Sequence, residues 1–188
     1  MLPFHHGPGK NCGFILNLNA LFGKMKHFLL LLISCCICDG AAHRFPEHRF
    51  SLELPTSVAW DTVQQFDNED PKMSLRAFKA KDDSCAVSLL IGDNATGVSD
   101  LSEYARRWAS GVTGSGGKIL SKTEAKLDEI PAVAYTIEVA AEGRRAVQLS
   151  YIALYNGKVC VLGVISERAP PIESSILKEL LASVRIKK

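Results

Sequence analysis

The chain has 188 residues, of which 47% are hydrophobic and 22% are charged, a composition typical of one globular domain rather than a disordered or membrane-embedded chain. Its formal net charge is +2, but three of its 22 basic residues (Lys10, Lys24 and Lys26) precede Cys35, which leaves 19 basic against 20 acidic residues. Because a basic excess is the main source of non-specific affinity for nucleic acids, this balance argues against a nucleic-acid partner.

An export signal is predicted over residues 25–42. A short basic start is followed by an apolar run over residues 28–38, well short of the roughly 20 residues that a transmembrane helix needs. Leu32-Ile33-Ser34-Cys35 matches the lipobox of bacterial lipoproteins, in which the cysteine is acylated and becomes N-terminal. We therefore predict lipidation of Cys35 and a place in the bacterial cell envelope, anchored to the membrane and facing the periplasm.

Two features leave the processing of this segment open. Gly40-Ala41-Ala42 has the small-x-small pattern of ordinary signal peptidase, which would release a soluble periplasmic or secreted protein beginning at His43. Residues 1–24 are longer than a usual secretory n-region, so they are either an upstream extension or a mis-assigned start before Met25. Residues 43–49 are then predicted to be a tether, and residues 50–188 the folded domain.

Short β-strands are predicted on both sides of one helix. Residues 101–112 place Leu101, Tyr104, Ala105 and Trp108 on one helical face, and Asp100 is the predicted N-cap. Residues 50–54 alternate apolar and polar side chains, as in a half-buried strand. Further strands, bounded by turn-forming residues, are predicted at residues 60–66, 73–78, 85–91, 118–127, 132–140, 146–155 and 158–166.

The turns and the end of the chain complete the predicted fold. Asn156-Gly157 between two apolar runs predicts a two-residue hairpin, because both residues readily adopt positive φ. Pro170-Pro171 leads into a second amphipathic helix over residues 172–184. Four strands, a helix, four strands and a helix favour an α+β fold, with an antiparallel β-sheet and flanking helices, over alternating βαβ units.

Several of these features together resemble the PsbP-like fold. They are Leu54-Pro55 followed by Trp60, the helix from Leu101 to Trp108, Ile130-Pro131-Ala132 before Tyr135, the Asn156-Gly157 hairpin and the closing helix from Leu177 to Val184. The resemblance covers residues 50–188 and implies a PsbP-like αβ sandwich. Members of that superfamily act mainly as binding or assembly modules, so the resemblance implies a non-catalytic role without naming a ligand.

Histidine-dependent chemistry is not predicted for the domain. The five histidines are at positions 5, 6, 27, 43 and 48, all before the predicted folded residues. Because imidazole is the commonest proton carrier near neutral pH and the commonest metal ligand, a catalytic triad or a histidine metal site is not expected. For His43 and His48 on the predicted tether, we expect an incidental role.

Phosphate and calcium motifs fail on spacing, so no cofactor or metal is predicted. The glycine-rich stretch over residues 111–118 ends in Gly117-Lys118, but Val112 and Ile119 occupy positions where a phosphate loop needs Gly and Ser or Thr. Counted from Asp67, the sixth residue is Lys72, where a calcium loop needs Gly. A helix-to-strand connection and solvated turns are the better interpretations.

Cys85 and Cys160 lie on the apolar positions of two predicted strands. Export would place them in an oxidising compartment, where a bridge between neighbouring strands would stabilise the domain by about 4 kcal/mol. Two buried free thiols are an equally ordinary interpretation, since free cysteine behaves as a small hydrophobic residue. The disulfide and the free pair both remain open at this point.

The hypothesis that follows is an envelope lipoprotein whose domain binds a partner protein or a small ligand and is not an enzyme. One rival is an envelope hydrolase that uses carboxylates such as Asp128, Glu129 or Glu138 with Tyr135. Another is a photosynthetic accessory subunit. An apolar pocket between sheet and helices would favour a small ligand, whereas exposed apolar residues over a packed core would favour a protein partner.

Overall fold

A computed structural model describes residues 42–69, 72–141, 144–166 and 174–187. The predicted export signal, Cys35 and the two processing alternatives lie outside these residues. Within the described ranges, no helix is both long enough and apolar enough to cross a bilayer.

Ten strands and two α-helices make up the described chain. In chain order they are β1 (Ala42–Phe45), β2 (Phe50–Glu53), β3 (Trp60–Glu69), β4 (Lys72–Ala80), β5 (Ala86–Asp93), α1 (Leu101–Gly114), β6 (Lys118–Leu127), β7 (Ile130–Ala141), β8 (Arg144–Tyr155), β9 (Lys158–Ser166), α2 (Ser175–Ser183) and β10 (Arg185–Ile186). A short 3-10 helix, Pro46–His48, connects β1 to β2.

The strands form two antiparallel sheets. The main sheet has the order β3-β4-β5-β9-β8-β7-β6, and the small sheet has the order β1-β2-β10. This architecture confirms the predicted antiparallel α+β fold. Strand β2 was expected to be part of one large sheet, but it lies in the small sheet between the first and last strands.

Both faces of the central strands are buried, which explains their nearly continuous apolar sequence. On one face, α1 packs on β6, β7 and β8, with Ala105 and Ala109 against Val133 and Ile152. The other face is covered by α2 and the small sheet, whose buried residues join the larger core cluster. Strand β9 serves both cores, because its Val159 and Val161 face α1 and its Cys160, Leu162 and Val164 face α2.

The predicted hairpin at Asn156-Gly157 is confirmed. Tyr155 pairs with Lys158, and the two turn residues have φ angles of 48° and 71°. Positive φ at both central residues is the conformation that gives a two-residue turn the twist of its flanking strands.

Residues 43–49, which we expected to be a tether, are folded. His43 pairs with Leu52 and Phe45 pairs with Phe50, so β1 runs antiparallel to β2. Phe45 and Phe50 are buried, and their ring centres lie 6.1 Å apart. The sequence shows mainly polar residues here, because only one side of a four-residue strand faces the core.

A disulfide between Cys85 and Cys160 is excluded by the strand register, and both cysteines are free. Cys160 pairs with Ile91 across β5 and β9, six residues from Cys85. At the rise of a strand this is a separation of about 20 Å, whereas a disulfide needs Cα atoms within about 7 Å. The apolar phase of a strand gives the face on which a cysteine lies, but not its neighbour across the sheet.

The second helix is shorter than predicted. It begins at Ser175, because the Ser174 side chain accepts a hydrogen bond from the Leu177 amide, and it ends at Ser183. Pro170-Pro171, the predicted start, lies outside the described residues. Strand β10 was not predicted, since two residues carry no periodic pattern.

Candidate functional site

A polar pocket of about 350 Å³ opens where the 3-10 helix meets the hairpin between β8 and β9. The 3-10 helix side contributes Glu47, His48 and Arg49, and the hairpin side contributes Tyr155, Asn156 and Lys158. This pocket is not the apolar pocket between sheet and helices that would favour a small ligand, because most of its lining residues are charged or polar.

Local backbone geometry places His48 in the interior. Pro46 starts the 3-10 helix, and Arg49 ends it in the left-handed region with φ of 53°. The Arg49 amide donates to the Pro46 carbonyl, and its own carbonyl accepts from the Lys187 amide. This tight reversal turns the His48 side chain inward, where its exposed fraction is 0%.

Two hydrogen bonds connect His48 to the main sheet. Its Nε2 atom lies 3.3 Å from the Ser74 hydroxyl on β4. The Tyr155 hydroxyl on β8 donates to the His48 carbonyl at 3.0 Å. Burial raises the pKa of Tyr155, so this hydroxyl keeps its proton and remains a donor at physiological pH.

Ser74 connects His48 to a charged pair on strands β3 and β4. Its side chain hydrogen-bonds Asp67 on β3, whose two carboxylate oxygens accept from the Arg76 guanidinium at 2.9 and 3.0 Å. These hydrogen bonds, with Arg76 as the main cause, hold the pKa of Asp67 below its ordinary value. The Arg76 guanidinium also lies 5.3 Å from the centre of the Phe45 ring.

These residue types are those of a catalytic triad, but their order is wrong for one. In a triad, histidine lies between serine and the carboxylate and removes the serine proton. Here Ser74 lies between His48 and Asp67, and only 3% of Ser74 is exposed. The arrangement holds the 3-10 helix on the sheet and does not present a nucleophile to solvent.

The rim of the pocket carries both charge signs. Lys158 donates to Asp93 at 2.6 Å, which ties β9 to β5 and lowers the pKa of Asp93. Glu47 and Arg49 lie beside them on the 3-10 helix side. In the part of the chain that the structure describes, no group of three His, Cys, Asp or Glu side chains is placed to hold a metal ion.

The carboxylates of the hydrolase hypothesis are not brought together. Asp128, in the turn before β7, accepts from the Ile186 amide at 2.9 Å. Glu138 lies about 26 Å farther along the strand from Ile130, where it faces Arg145 at 3.7 Å. Tyr135 is buried against Trp108 of α1, with 5.8 Å between ring centres. Glu129 is exposed in the same turn as Asp128.

Exposed apolar side chains are concentrated at the two edges of the main sheet. Among the described residues, the large hydrophobic side chains that are exposed are Val63 and Phe66 on β3 and Leu120 on β6. Val63 and Leu120 each lie at a β-bulge, between Thr62 and Gln64 and between Ile119 and Ser121. Each of these strands pairs with only one neighbouring strand among the described residues, so each edge combines an unpaired strand side with an exposed apolar side chain.

His48 is the site residue that sequence reasoning missed. Because it precedes the first periodic strand, the sequence predicts a tether at this position. The signals available were Pro46, which favours the first position of a helical turn, and Phe45, an apolar residue in an otherwise polar stretch. Neither specifies that His48 contacts β4, since that contact joins residues 26 positions apart.

Comparison with solved structures supports the fold. The structure is similar to cyanobacterial PsbP (CyanoP) from Synechocystis sp. PCC 6803, with a TM-score of 0.56 and 10% identity over 85% of this chain and 99% of that one. A protein from Bacteroides thetaiotaomicron VPI-5482 gives a TM-score of 0.53 and 13% identity over 80% of this chain. This chain spans about half of that protein, 49% of its length.

A third similar structure is the protein PA94 from Pseudomonas aeruginosa, at 14% identity over 79% of this chain and 96% of that one. Its TM-score of 0.47 adds no weight to the argument. Neither a protein-family model nor a curated protein sequence matches the chain. The structural similarities establish a PsbP-like fold, as the sequence resemblance implied, and at these identities they establish the fold alone.

Proposed function

We propose that this chain is a binding or assembly module of the cell envelope, held at the membrane by acylated Cys35 and without catalytic activity of its own. The lipobox pattern at residues 32–35 supports the anchor. Burial of His48 and Ser74, the order His48–Ser74–Asp67, which is not that of a triad, and the separated carboxylates support a role in binding rather than catalysis.

The observation that carries the proposal is the position of the exposed apolar residues. An edge strand with free backbone groups and apolar side chains is suited to pairing with an extended segment of another protein. Strand β3 offers ten residues with both Val63 and Phe66 exposed. We therefore propose a protein partner that adds a strand to β3.

Strand β6 is the less suitable edge, although it also exposes an apolar residue. It carries Lys118, Lys122 and Lys126, and lysines on an edge strand are a common protection against pairing with another strand. Strand β3 has no lysine in its ten residues. This difference supplies a matched control within one sheet.

Metabolic labelling with a fatty-acid analogue tests the anchor. We expect label on the wild-type chain and none on Cys35→Ser. Absence of label on the wild type, or equal label on both chains, would refute the lipid anchor.

Photo-crosslinking tests the partner. A photo-reactive residue placed at Phe66 is expected to trap a discrete protein, whereas the same residue at Leu120 is not, although the two side chains are 45% and 48% exposed. Identical products at both positions would show that exposure alone causes the crosslinks, and no product at Phe66 would remove β3 as the docking strand.

A photosynthetic accessory subunit is the second candidate, because the fold is similar to CyanoP over 99% of the length of that protein, with a TM-score of 0.56. The crosslinked protein distinguishes the two. A subunit of a photosynthetic complex at Phe66 would favour this candidate, and an envelope protein would favour the first.

A further inference from the structure

We propose that residues 42–49, hereafter the strap, are released from the main sheet by acid when His43 and His48 take up protons, while the rest of the domain stays folded. The strap consists of β1, the 3-10 helix and Arg49. Both histidine side chains face the main sheet, and their surroundings there disfavour the doubly protonated, charged imidazole ring.

The His43 side chain packs against β4. Its ring lies 4.4 Å from that of Phe78, and its Nε2 atom is buried without a hydrogen-bond partner among the described residues. The charged group that faces it is Arg76, so burial first and this guanidinium second lower the pKa of His43. A protonated His43 would therefore lie beside a like charge.

The carboxylate on this side of the strap is already paired. It belongs to Asp67, and both of its oxygens accept from the Arg76 guanidinium. Moving Asp67 to His43 would take the carboxylate away from Arg76, which would keep only its hydrogen bonds to the Phe66 and Leu75 carbonyls. Protonation of His43 in the closed strap is thus opposed by the existing ion pair.

His48, like His43, has a buried ring nitrogen without a hydrogen-bond partner among the described residues. Nε2 faces Ser74, but Nδ1 is buried with no partner within the described structure. A proton on Nδ1 would be a buried donor without an acceptor, which is costly in a protein interior. Burial is accordingly the main cause of the lowered pKa of His48.

Charged groups of both signs face His48 from the surrounding strands. Lys72 and Lys158 oppose its protonation, and Asp93, Asp67 and Glu47 favour it. Asp93 is paired with Lys158 and Asp67 with Arg76, which weakens both acids as partners. Glu47, 3.7 Å from Nε2, belongs to the strap and moves with it.

The sign of the pH dependence follows from the lowered pKa values. In the released strap both imidazoles regain ordinary pKa values near 6.5, so the released state binds more protons than the closed state. The closed strap is fully favoured above about pH 6.5, and the equilibrium shifts toward release as pH falls below that value. No other described residue is a histidine, so this window belongs to the strap.

The release can remain local because the small sheet has three strands. Only four residue pairs join β1 to β2, and β2 keeps its pairing with β10 when β1 leaves. Phe45 is the one large apolar side chain of the strap that leaves the core. Such a segment is typical of the low-stability units that open without global unfolding.

Release would also lengthen the membrane attachment, a consequence that rests on the proposed Cys35 anchor. Eight extended residues add about 25 Å of reach between membrane and domain. The release itself does not depend on the anchor, so failure of the lipid labelling leaves the strap proposal standing, and the reverse also holds.

Hydrogen exchange measured by mass spectrometry on the full-length chain tests the release. Between about pH 7.5 and about pH 5, after correction for intrinsic exchange rates, we expect strap amides to lose protection by about tenfold or more. A tenfold change in the opening equilibrium corresponds to a difference of about one pKa unit, at one histidine, between the closed and the released strap. Amides of the hairpin between β8 and β9 are expected to keep theirs. Unchanged strap protection, or equal loss in the hairpin, would overturn local release.

A double variant separates the histidines from other effects of acid. His43→Leu keeps an apolar contact with Phe78, and His48→Asn keeps a donor toward Ser74; together they should abolish the acid-induced loss of protection. Persistence of that loss would contradict the proposal. If the double variant does not fold, NMR titration of the wild-type rings decides: pKa values below 6.5 at both histidines support release, and ordinary values at both refute it.

Discussion

Gly163 lies where three polar side chains converge on the main sheet. A Cβ atom at this position would lie 2.6 Å from the Ser88 hydroxyl oxygen and 3.1 Å from Nε2 of Gln148. Gln148 donates to the Ser150 hydroxyl at 2.7 Å, and both residues are buried. The missing side chain at Gly163 therefore provides the space for a polar group of β5 and one of β8.

Gly163→Ala is predicted to destabilise the domain by about 1–3 kcal/mol, because the new methyl group would overlap the half-buried Ser88 hydroxyl and crowd the buried, hydrogen-bonded Gln148 amide. Urea denaturation measures the change. Adding Ser88→Ala should recover part of the loss, since it removes the closest atom. Gly114→Ala is the control, with nothing within 4 Å of its Cβ, and an equal loss there would contradict the steric explanation.

The elements whose sequence pattern is local were the ones that sequence reasoning predicted well. Helix α1 begins at Leu101, and the Asp100 carboxylate accepts from the Glu103 amide at 2.7 Å, as the capping pattern indicates. The hairpin at Asn156-Gly157 is likewise encoded by two adjacent residues. Strand β10 and the strap were missed because their conformation depends on pairing with β2, which no nearby sequence specifies.

The candidate site was predicted less well than the fold, for the same reason. His48, Ser74 and Tyr155 come from three separate parts of the chain and meet only after the sheets pack. The sequence left a disulfide between Cys85 and Cys160 open for the same reason, since alternation gives the face of a strand but not its register.

Asp100→Ala is predicted to destabilise α1 and the domain by about 1 kcal/mol, because the amide of Glu103 loses its side-chain acceptor. Asp100→Asn retains that acceptor and should cost less. Thermal unfolding followed by circular dichroism measures both changes. Equal destabilisation by the two substitutions would indicate that charge, rather than the cap hydrogen bond, matters.

At the scale of the whole molecule, the small sheet joins the two ends of the described chain. Strand β2 pairs with β1 on one side and with β10 on the other. Ile186 of β10 is buried, and its amide donates to Asp128. The last strand thus connects the strap, the turn before β7 and the core under α2.

Ile186→Ala is predicted to cost about 2–4 kcal/mol, the usual range for removing a buried aliphatic side chain. Lys187→Ala is the matched control, because the neighbouring Lys187 side chain is exposed and its contribution is the backbone hydrogen bond to Arg49. Chemical denaturation of the two variants should separate them clearly. Similar midpoints would show that β10 contributes little to global stability.

The pairing of β2 with β10 also determines how late in folding the small sheet can be completed. Ser51 pairs with Arg185, about 130 positions later, so this contact has a high entropic cost of loop closure and is expected to form late. A chain that emerges N-terminus first from a ribosome or a translocation channel displays β2 long before its partner exists. Until synthesis or transport reaches Ile186, the apolar face of β2 stays available to chaperones and proteases.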